Sequence, residues 1–443
     1  MHSVFVCALR VQFSPKCAMM ASVTPRRWDV VRCAALVTAL ATATAACGPA
    51  RLAAPPEPEF TTGQRAAPTV LPEITIDPAE QIELDLSAIE ADVDPVSVDQ
   101  MTIVDDAGNV APNQSGWATF DSALQHQLIP ADASASVAVM IDGRVVHEAA
   151  FGERVVGTGV PVETTDRFRI ASISKTVTAI VALRLVDEGV LTLDDPVGDL
   201  LVQHLGLAQF DADVSRITLR HLLSHTAGFP DHSGTFFNNG ATSCVDAAMQ
   251  GLASSVSGPS GYNYSNMSYC VLGVLIEAVT GKTYERVAFE QLLTPLGISA
   301  MRMPSTYDLG PDEVSHDPTP DRNFMETLGG AGGWNATPAD LVTIINSIDP
   351  KTTGWKALSP ELMEAMRFRV PTGQPPAGYG LGLINFAGDA FGHTGTVENT
   401  HAMVMVQPDG VTWAVTVSGE YPSNTAALQN IVRRALAEAF PVA

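Results

Sequence analysis

The stretch Phe168-Arg169-Ile170-Ala171-Ser172-Ile173-Ser174-Lys175 leads into an apolar run, Val177, Ile180, Val181, Leu183, Leu185 and Val186, which closes at Asp187-Glu188-Gly189. The run has helical length and ends on a glycine stop signal. Its apolar character wraps most of the way round, which predicts a buried central helix. Ser172 would occupy the first turn, with Lys175 three residues on along the same face. Burying an ammonium is costly unless it is paired, and an unpaired buried lysine tends to lose its proton. A neutral lysine beside a hydroxyl at the positive end of a helix is a route to an activated nucleophile. The same residues also suit a serine N-cap followed by a solvated lysine. This stretch alone leaves both readings open.

Outward from that helix, 443 residues allow one large domain or two modest ones, with ample apolar material for a core. A net charge of −23 argues against nucleic acid as a partner and against a basic membrane-surface patch. Overall charge does not report the charge inside a cleft. Of six cysteines, Cys7, Cys17, Cys33 and Cys47 lie toward the N-terminus, and only Cys244 and Cys270 fall in the body. The chain has no CxxC or Cys/His cluster of the zinc type, so neither a metal nor a cofactor is expected.

Residues 1–46 have the pattern of an export signal. Arg26, Arg27 and Arg32 precede an apolar, small-residue run from Cys33 to Ala46, and residues 1–18 look like an over-extended start before Met19-Met20. Cys47 after Thr44-Ala45-Ala46 resembles a bacterial lipidation site, although Thr44 stands where Leu or Val is usual. Lipidation at Cys47, a plain secretory cut and an uncleaved anchor all stay open. The expected location is the cell envelope or outside the cell, with membrane contact only through such an anchor. Residues 47–69 form a Pro/Ala-rich linker. Residues 70–115 are acidic with short alternating patterns, and read either as an arm on the domain or as a spacer. The main domain is expected over 116–443.

Within it, Trp117 to Ile129 reads as a helix. Val137–Ile141 and Val145-Val146, joined by Asp142-Gly143, read as a β-hairpin. The far end mirrors this, with alternation over Ala402–Gln407, a turn at Pro408-Asp409-Gly410, alternation over Val411–Ser418, and an amphipathic helix from Thr425 to Ala439. Between them, from Ser172 to Arg369, most segments read as helix or loop. The expected architecture is α+β: an antiparallel sheet built from both chain ends, flanked by helices, with a mostly helical region inserted. An active cleft would lie where the two regions meet.

His221 and His225 are spaced i,i+4, yet no Glu follows the first and no third ligand is evident, so structural roles are expected. Gly261-Tyr262-Asn263-Tyr264-Ser265-Asn266 leads into a helix from about Ser268 to Thr280. The cluster Gly329-Gly330-Ala331-Gly332-Gly333-Trp334 suggests close backbone approach at a cleft floor. Gly392-His393-Thr394-Gly395-Thr396-Val397 sits just before the C-terminal strands, where a glycine lets a ligand lie against a strand edge. The absence of a GxSxG elbow argues against an α/β-hydrolase.

Taken in order, Ser172-Ile173-Ser174-Lys175, Tyr264-Ser265-Asn266 and His393-Thr394-Gly395 resemble the SxxK, YxN and KTG/HxG motifs of the serine β-lactamase-like, penicillin-recognising family. That family includes class C β-lactamases, D-alanyl-D-alanine carboxypeptidases and β-lactamase-type esterases, and the resemblance covers roughly residues 117–440. It implies that Ser172 attacks a carbonyl to form an acyl-enzyme, within a proton network of Lys175 and Tyr264. Tyr264 is then the favoured general base and Lys175 its rival, a choice the sequence leaves open. It further implies that Asn266 holds Lys175 or a substrate amide. Backbone N–H groups of Ser172 and Thr396 would form the oxyanion hole. His393 stands where β-lactamases carry a lysine, and Val397-Glu398-Asn399-Thr400-His401 departs from the glycine-aromatic-small run of many members. The substrate implied is a small-molecule or peptidoglycan-derived acyl donor: an ester or amide first, a D-Ala-D-Ala peptide or penicillin as the alternative. A catalytically silent wall- or ligand-binding protein is the competing class. Export to an oxidising compartment also makes a Cys244–Cys270 disulfide an expectation, against two buried thiols.

Overall fold

The computed structural model describes residues 96–104, 110–128, 133–316, 319–371, 378–419 and 424–442. The chain divides into units at 1–73 and 74–443, and every described residue belongs to the second. The export signal, Cys47, the linker and residues 70–95 lie outside the described residues.

The core is an eight-stranded antiparallel sheet. In chain order its strands are β1 (Ser134–Ile141), β2 (Arg144–Phe151), β3 (Val370–Pro371), β4 (Gly378–Tyr379), β5 (Ile384–Asn385), β6 (Phe391–Val397), β7 (Thr400–Val406) and β8 (Val411–Ser418). Their spatial order is β2-β1-β8-β7-β6-β5-β4-β3, so the N-terminal hairpin pairs with the last strand and both chain ends build one sheet. Asp142 and Gly143, at φ 50° and 77°, make the hairpin turn that the Asp-Gly pair predicts.

Alternation along the strands divides two cores. Val137, Val139, Trp413, Val415, Met403 and Met405 face one side, and Ala138, Met140, Ala414, Ala402 and Val404 the other. The principal helices are α1 (Gln114–Leu128), α2 (Ser174–Asp187), α3 (Cys244–Ala253), α4 (Asn266–Thr280), α5 (Pro338–Asn346) and α6 (Thr425–Ala439). Helices α1 and α6 cover the first face, where Trp117, Phe120, Leu128, Leu428 and Leu436 are buried. Helix α5 and the inserted helical region cover the second. Residues 96–104 and 110–112 pack on the first face: Met101 is buried, its carbonyl accepts from Trp117 Nε1 at 3.1 Å, and Ser97 N–H donates to Phe440 O. This part of the acidic segment lies on the domain.

Two local expectations need correction. The central helix begins one turn late: Ala171–Ile173 is a 3-10 turn, and regular α-helix starts at Ser174. The Gly392–Val397 stretch does not precede the C-terminal strands but is itself strand β6. Its two glycines weaken the strand signal, and pairing to β7 from Phe391↔Val406 to Val397↔Thr400 imposes the extended form. The pieces β3 to β5 were invisible for a related reason, since two-residue strands leave no alternation to detect.

Candidate active site

Helix α2 is buried almost all round, and Ser172 sits on the tight turn that feeds it. Ala171, immediately before it, has φ 43°, an uncommon conformation for a residue with a side chain. Strand β6 comes against this turn. Its pairing with β5 stops at Gly392, so from His393 onward that edge is free of a neighbouring strand. A Cβ at Gly395 would lie 2.2 Å from Ile170 O and 3.2 Å from Ser172 N, so only glycine permits the approach. The edge of Thr394-Gly395-Thr396 and the N–H of Ser172 therefore share one small region.

Lys175 is completely buried. Its Nζ lies 2.9 Å from Ser172 Oγ, 2.7 Å from Asn266 Oδ1 and 2.8 Å from Ala331 O. Desolvation drives its pKa well below the ordinary lysine value, with no carboxylate opposing it. All three partners can accept, matching the three N–H groups of an ammonium; in the neutral amine that burial favours, the two carbonyl oxygens would take its two N–H groups and its lone pair would face the Ser172 hydroxyl. The acceptor from Ala331 comes from the glycine cluster. Gly330 packs so closely that a Cβ there would meet Thr178 Oγ1 at 3.1 Å, and its carbonyl accepts from that hydroxyl at 2.7 Å. The cluster is a close-packed floor beneath the lysine, as its glycines suggest.

Tyr264 places its ring centroid 4.9 Å from Lys175 Nζ. Its hydroxyl is buried with no partner in full hydrogen-bond geometry, although its proximity to Ser172 acts to lower its pKa. Desolvation outweighs that influence and raises the phenol above its usual range. Asn266 opens helix α4, one turn from Tyr269, whose hydroxyl donates to Leu223 O at 2.8 Å.

His393 is buried and neutral, its pKa driven down to about 3 by desolvation. Nδ1–H donates to Thr394 O at 2.6 Å and Nε2 accepts from Tyr379 O–H at 2.9 Å. It presents no charge to a substrate. Thr394 is buried, while Thr396 is part-exposed with its Oγ1 3.3 Å from His401 Nδ1. The departure at Glu398-Asn399 is the turn between β6 and β7, with Glu398 at φ 46° and its carboxylate accepting from Thr319 N–H.

The i,i+4 histidines separate. His221 caps its own helix by accepting from Thr218 N–H, whereas His225 turns inward beneath Tyr264. Among the described residues no cluster of His, Cys, Asp or Glu suits a metal ion. Cys244 and Cys270 stand with Cα atoms 5.6 Å apart and their sulfurs in bonding contact. Cys244 begins helix α3 and Cys270 lies in α4, so the link joins two helices. Sequence reasoning missed Ala331 O, Tyr379 and His225 as parts of this centre. A backbone acceptor has no residue signature, and the other two come from distant segments.

Residues 121–438 match the Beta-lactamase family, and the chain belongs to it. Members of this family are serine hydrolases, and penicillin-binding proteins are among this chain's relatives. Penicillin-binding protein 4 of Amycolatopsis lactamdurans is 29% identical over 335 residues, 68% of this chain and 84% of its own length. Penicillin-binding protein 4* of Bacillus subtilis is 30% identical over 182 residues, 39% of this chain but only 38% of that protein. Among solved structures, SurE with D-Leu is 27% identical with a TM-score of 0.58, covering 74% of this chain and 75% of that one.

Proposed function

We propose that the chain is an exported serine hydrolase that works through an acyl-enzyme at Ser172 on an ester or amide whose acyl group needs no carboxylate. The observation that carries this is the buried Lys175 amine, 2.9 Å from Ser172 Oγ and with its other two contacts on carbonyl oxygens. Ser172 Oγ attacks the carbonyl carbon as its proton passes to Lys175 Nζ. The developing oxyanion is met by the N–H groups of Ser172 and Thr396. As the tetrahedral species collapses, the leaving group takes a proton from Tyr264, whose phenol is kept protonated by burial, and Lys175 returns its proton to Tyr264. Water then repeats the attack on the acyl-enzyme, and Ser172 recovers its hydroxyl. Lys175 is thus the base and Tyr264 the acid of the first step, the reverse of the family-based expectation.

Charge in the cleft supports the neutral acyl donor. The two arginines upstream of the third motif are committed elsewhere. Arg367 donates to Asn385 Oδ1 and Asp389 O and lies over the Phe391 ring, while Arg369 donates to Phe386 O. Phe391 is at the opposite end of β6 from Thr396. With His393 uncharged and both arginines committed, neither the third motif nor its upstream arginines offers a substrate carboxylate a cation among the described residues. The second reading, a D-Ala-D-Ala carboxypeptidase or β-lactamase, draws on the name of the Amycolatopsis relative. Two depsipeptide esters identical but for the free carboxylate distinguish them by kcat/KM. The neutral ester is expected to turn over faster, and a strong preference for the carboxylate form would restore the cell-wall reading. Absence of any acyl-enzyme with either ester, or with a penicillin, would leave the silent binding protein.

A further inference from the structure

His225 belongs to no motif used above, yet it contacts both the Tyr264 ring and the Ser265 backbone of the second motif. It is 1% exposed and holds φ 56°, a left-handed backbone in which histidine is tolerated at some cost. Its Nδ1 accepts from the backbone N–H of Ser265 at 3.1 Å, the residue between Tyr264 and Asn266. Its carbonyl accepts from Asn263 N–H at 2.9 Å. The imidazole centroid lies 4.4 Å from the Tyr264 ring, 4.6 Å from Tyr379 and 5.1 Å from Tyr269. One side chain therefore seats both the acid Tyr264 and the backbone that delivers Asn266 to Lys175.

We propose that His225 is a positioning residue for acyl transfer, acting as the neutral Nε2–H tautomer that locks Ser265 and so places Tyr264 and Asn266 around Lys175. The tautomer follows from the hydrogen bond: a nitrogen that accepts from an N–H cannot also carry a proton. A second proton would set two donors face to face. It would also place a cation among Tyr262, Tyr264, Tyr269 and Tyr379 and beside Lys175 and His393, in a site with no carboxylate. Burial holds the ring well below the usual histidine pKa.

The proposal rests on the acyl-enzyme reading, and the test separates the two. His225→Asn and His225→Gly both tolerate a left-handed backbone, but only Asn offers an oxygen near the place of Nδ1. With the neutral ester as probe and active sites titrated by mass spectrometry, His225→Gly should acylate slower by on the order of 10²-fold, the loss typical of a displaced catalytic group. His225→Asn should recover to within about tenfold of wild type, with KM changed little in either. Wild-type acylation rates per titrated site in His225→Gly, or no recovery in His225→Asn, overturn the proposal. In the wild-type protein labelled with 15N-histidine, the His225 ring should read Nε2–H and stay neutral from pH 5 to 8. An Nδ1–H or a titrating ring overturns it too. That spectrum decides the tautomer, and with it the lock on Ser265, even if the variants do not fold; a wild type that is never acylated overturns the hydrolase reading and the positioning role together, while the tautomer result stands by itself.

Discussion

Replacing Lys175 by Met tests the protonation state on which the mechanism turns. Met has similar length and leaves Asn266 Oδ1 and Ala331 O without a donor, a cost that does not vary with pH. The pH-dependent part comes from the lysine alone. In the unfolded chain it keeps its proton up to about pH 10.4. In the folded protein desolvation lowers the pKa well below that value, so folding releases a proton anywhere between the two. The unfolded state then binds more protons, and stability rises with pH across this window. Each pH unit inside that window contributes about 1.36 kcal/mol, so from pH 7.5 to 9.5 the wild type should gain stability relative to Lys175→Met, by at most about 2.7 kcal/mol where the window spans both values. All other titrating groups cancel in the difference. Urea denaturation of both proteins at the two pH values measures it, with m-values compared to confirm that the same surface unfolds. A difference that stays flat would mean that Lys175 is an ammonium in the folded protein, and Tyr264 would return as the base.

Three further outcomes are expected. Incubation with the neutral ester should add one acyl mass on the peptide containing Ser172; an adduct on Ser174 or Ser265, or undiminished turnover in Ser172→Ala, would refute the nucleophile, and Tyr264→Phe should slow kcat by on the order of 10²-fold. Gly395→Ala sets a Cβ 2.2 Å from Ile170 O, which forces β6 away from the Ser172 turn by about 1 Å and should cost about 10²-fold in kcat, whereas unchanged kinetics would remove Thr396 from the oxyanion site. Cys244 and Cys270, separated by 26 residues, should read as no free thiol in unreduced denatured protein, and Cys244→Ser should lower stability by about 3.5 kcal/mol; two titrating thiols would refute the link.

What the sequence determined by itself was whatever repeats locally or carries a motif. Asp142-Gly143 and the alternation over Val411–Ser418 marked the two hairpins, and the apolar wrap after Ser172 marked the buried helix, because each is a matter of spacing within a few residues. Motif order likewise named Ser172, Lys175, Tyr264, Asn266 and the His393–Thr396 box. Only the tertiary structure decided the charges. Whether Lys175, Tyr264 and His393 are ionised depends on burial and on acceptors such as Ala331 O, supplied by chain 156 residues away. The same holds for Arg367 and Arg369, which the sequence left near the third motif and packing tied to Asn385, Asp389 and Phe386. His225 was a helix-spaced histidine until folding brought it under Tyr264, 39 positions on in the sequence but 4.4 Å away ring to ring. Ionisation and placement are properties of surroundings, and surroundings exist only once distant segments have met.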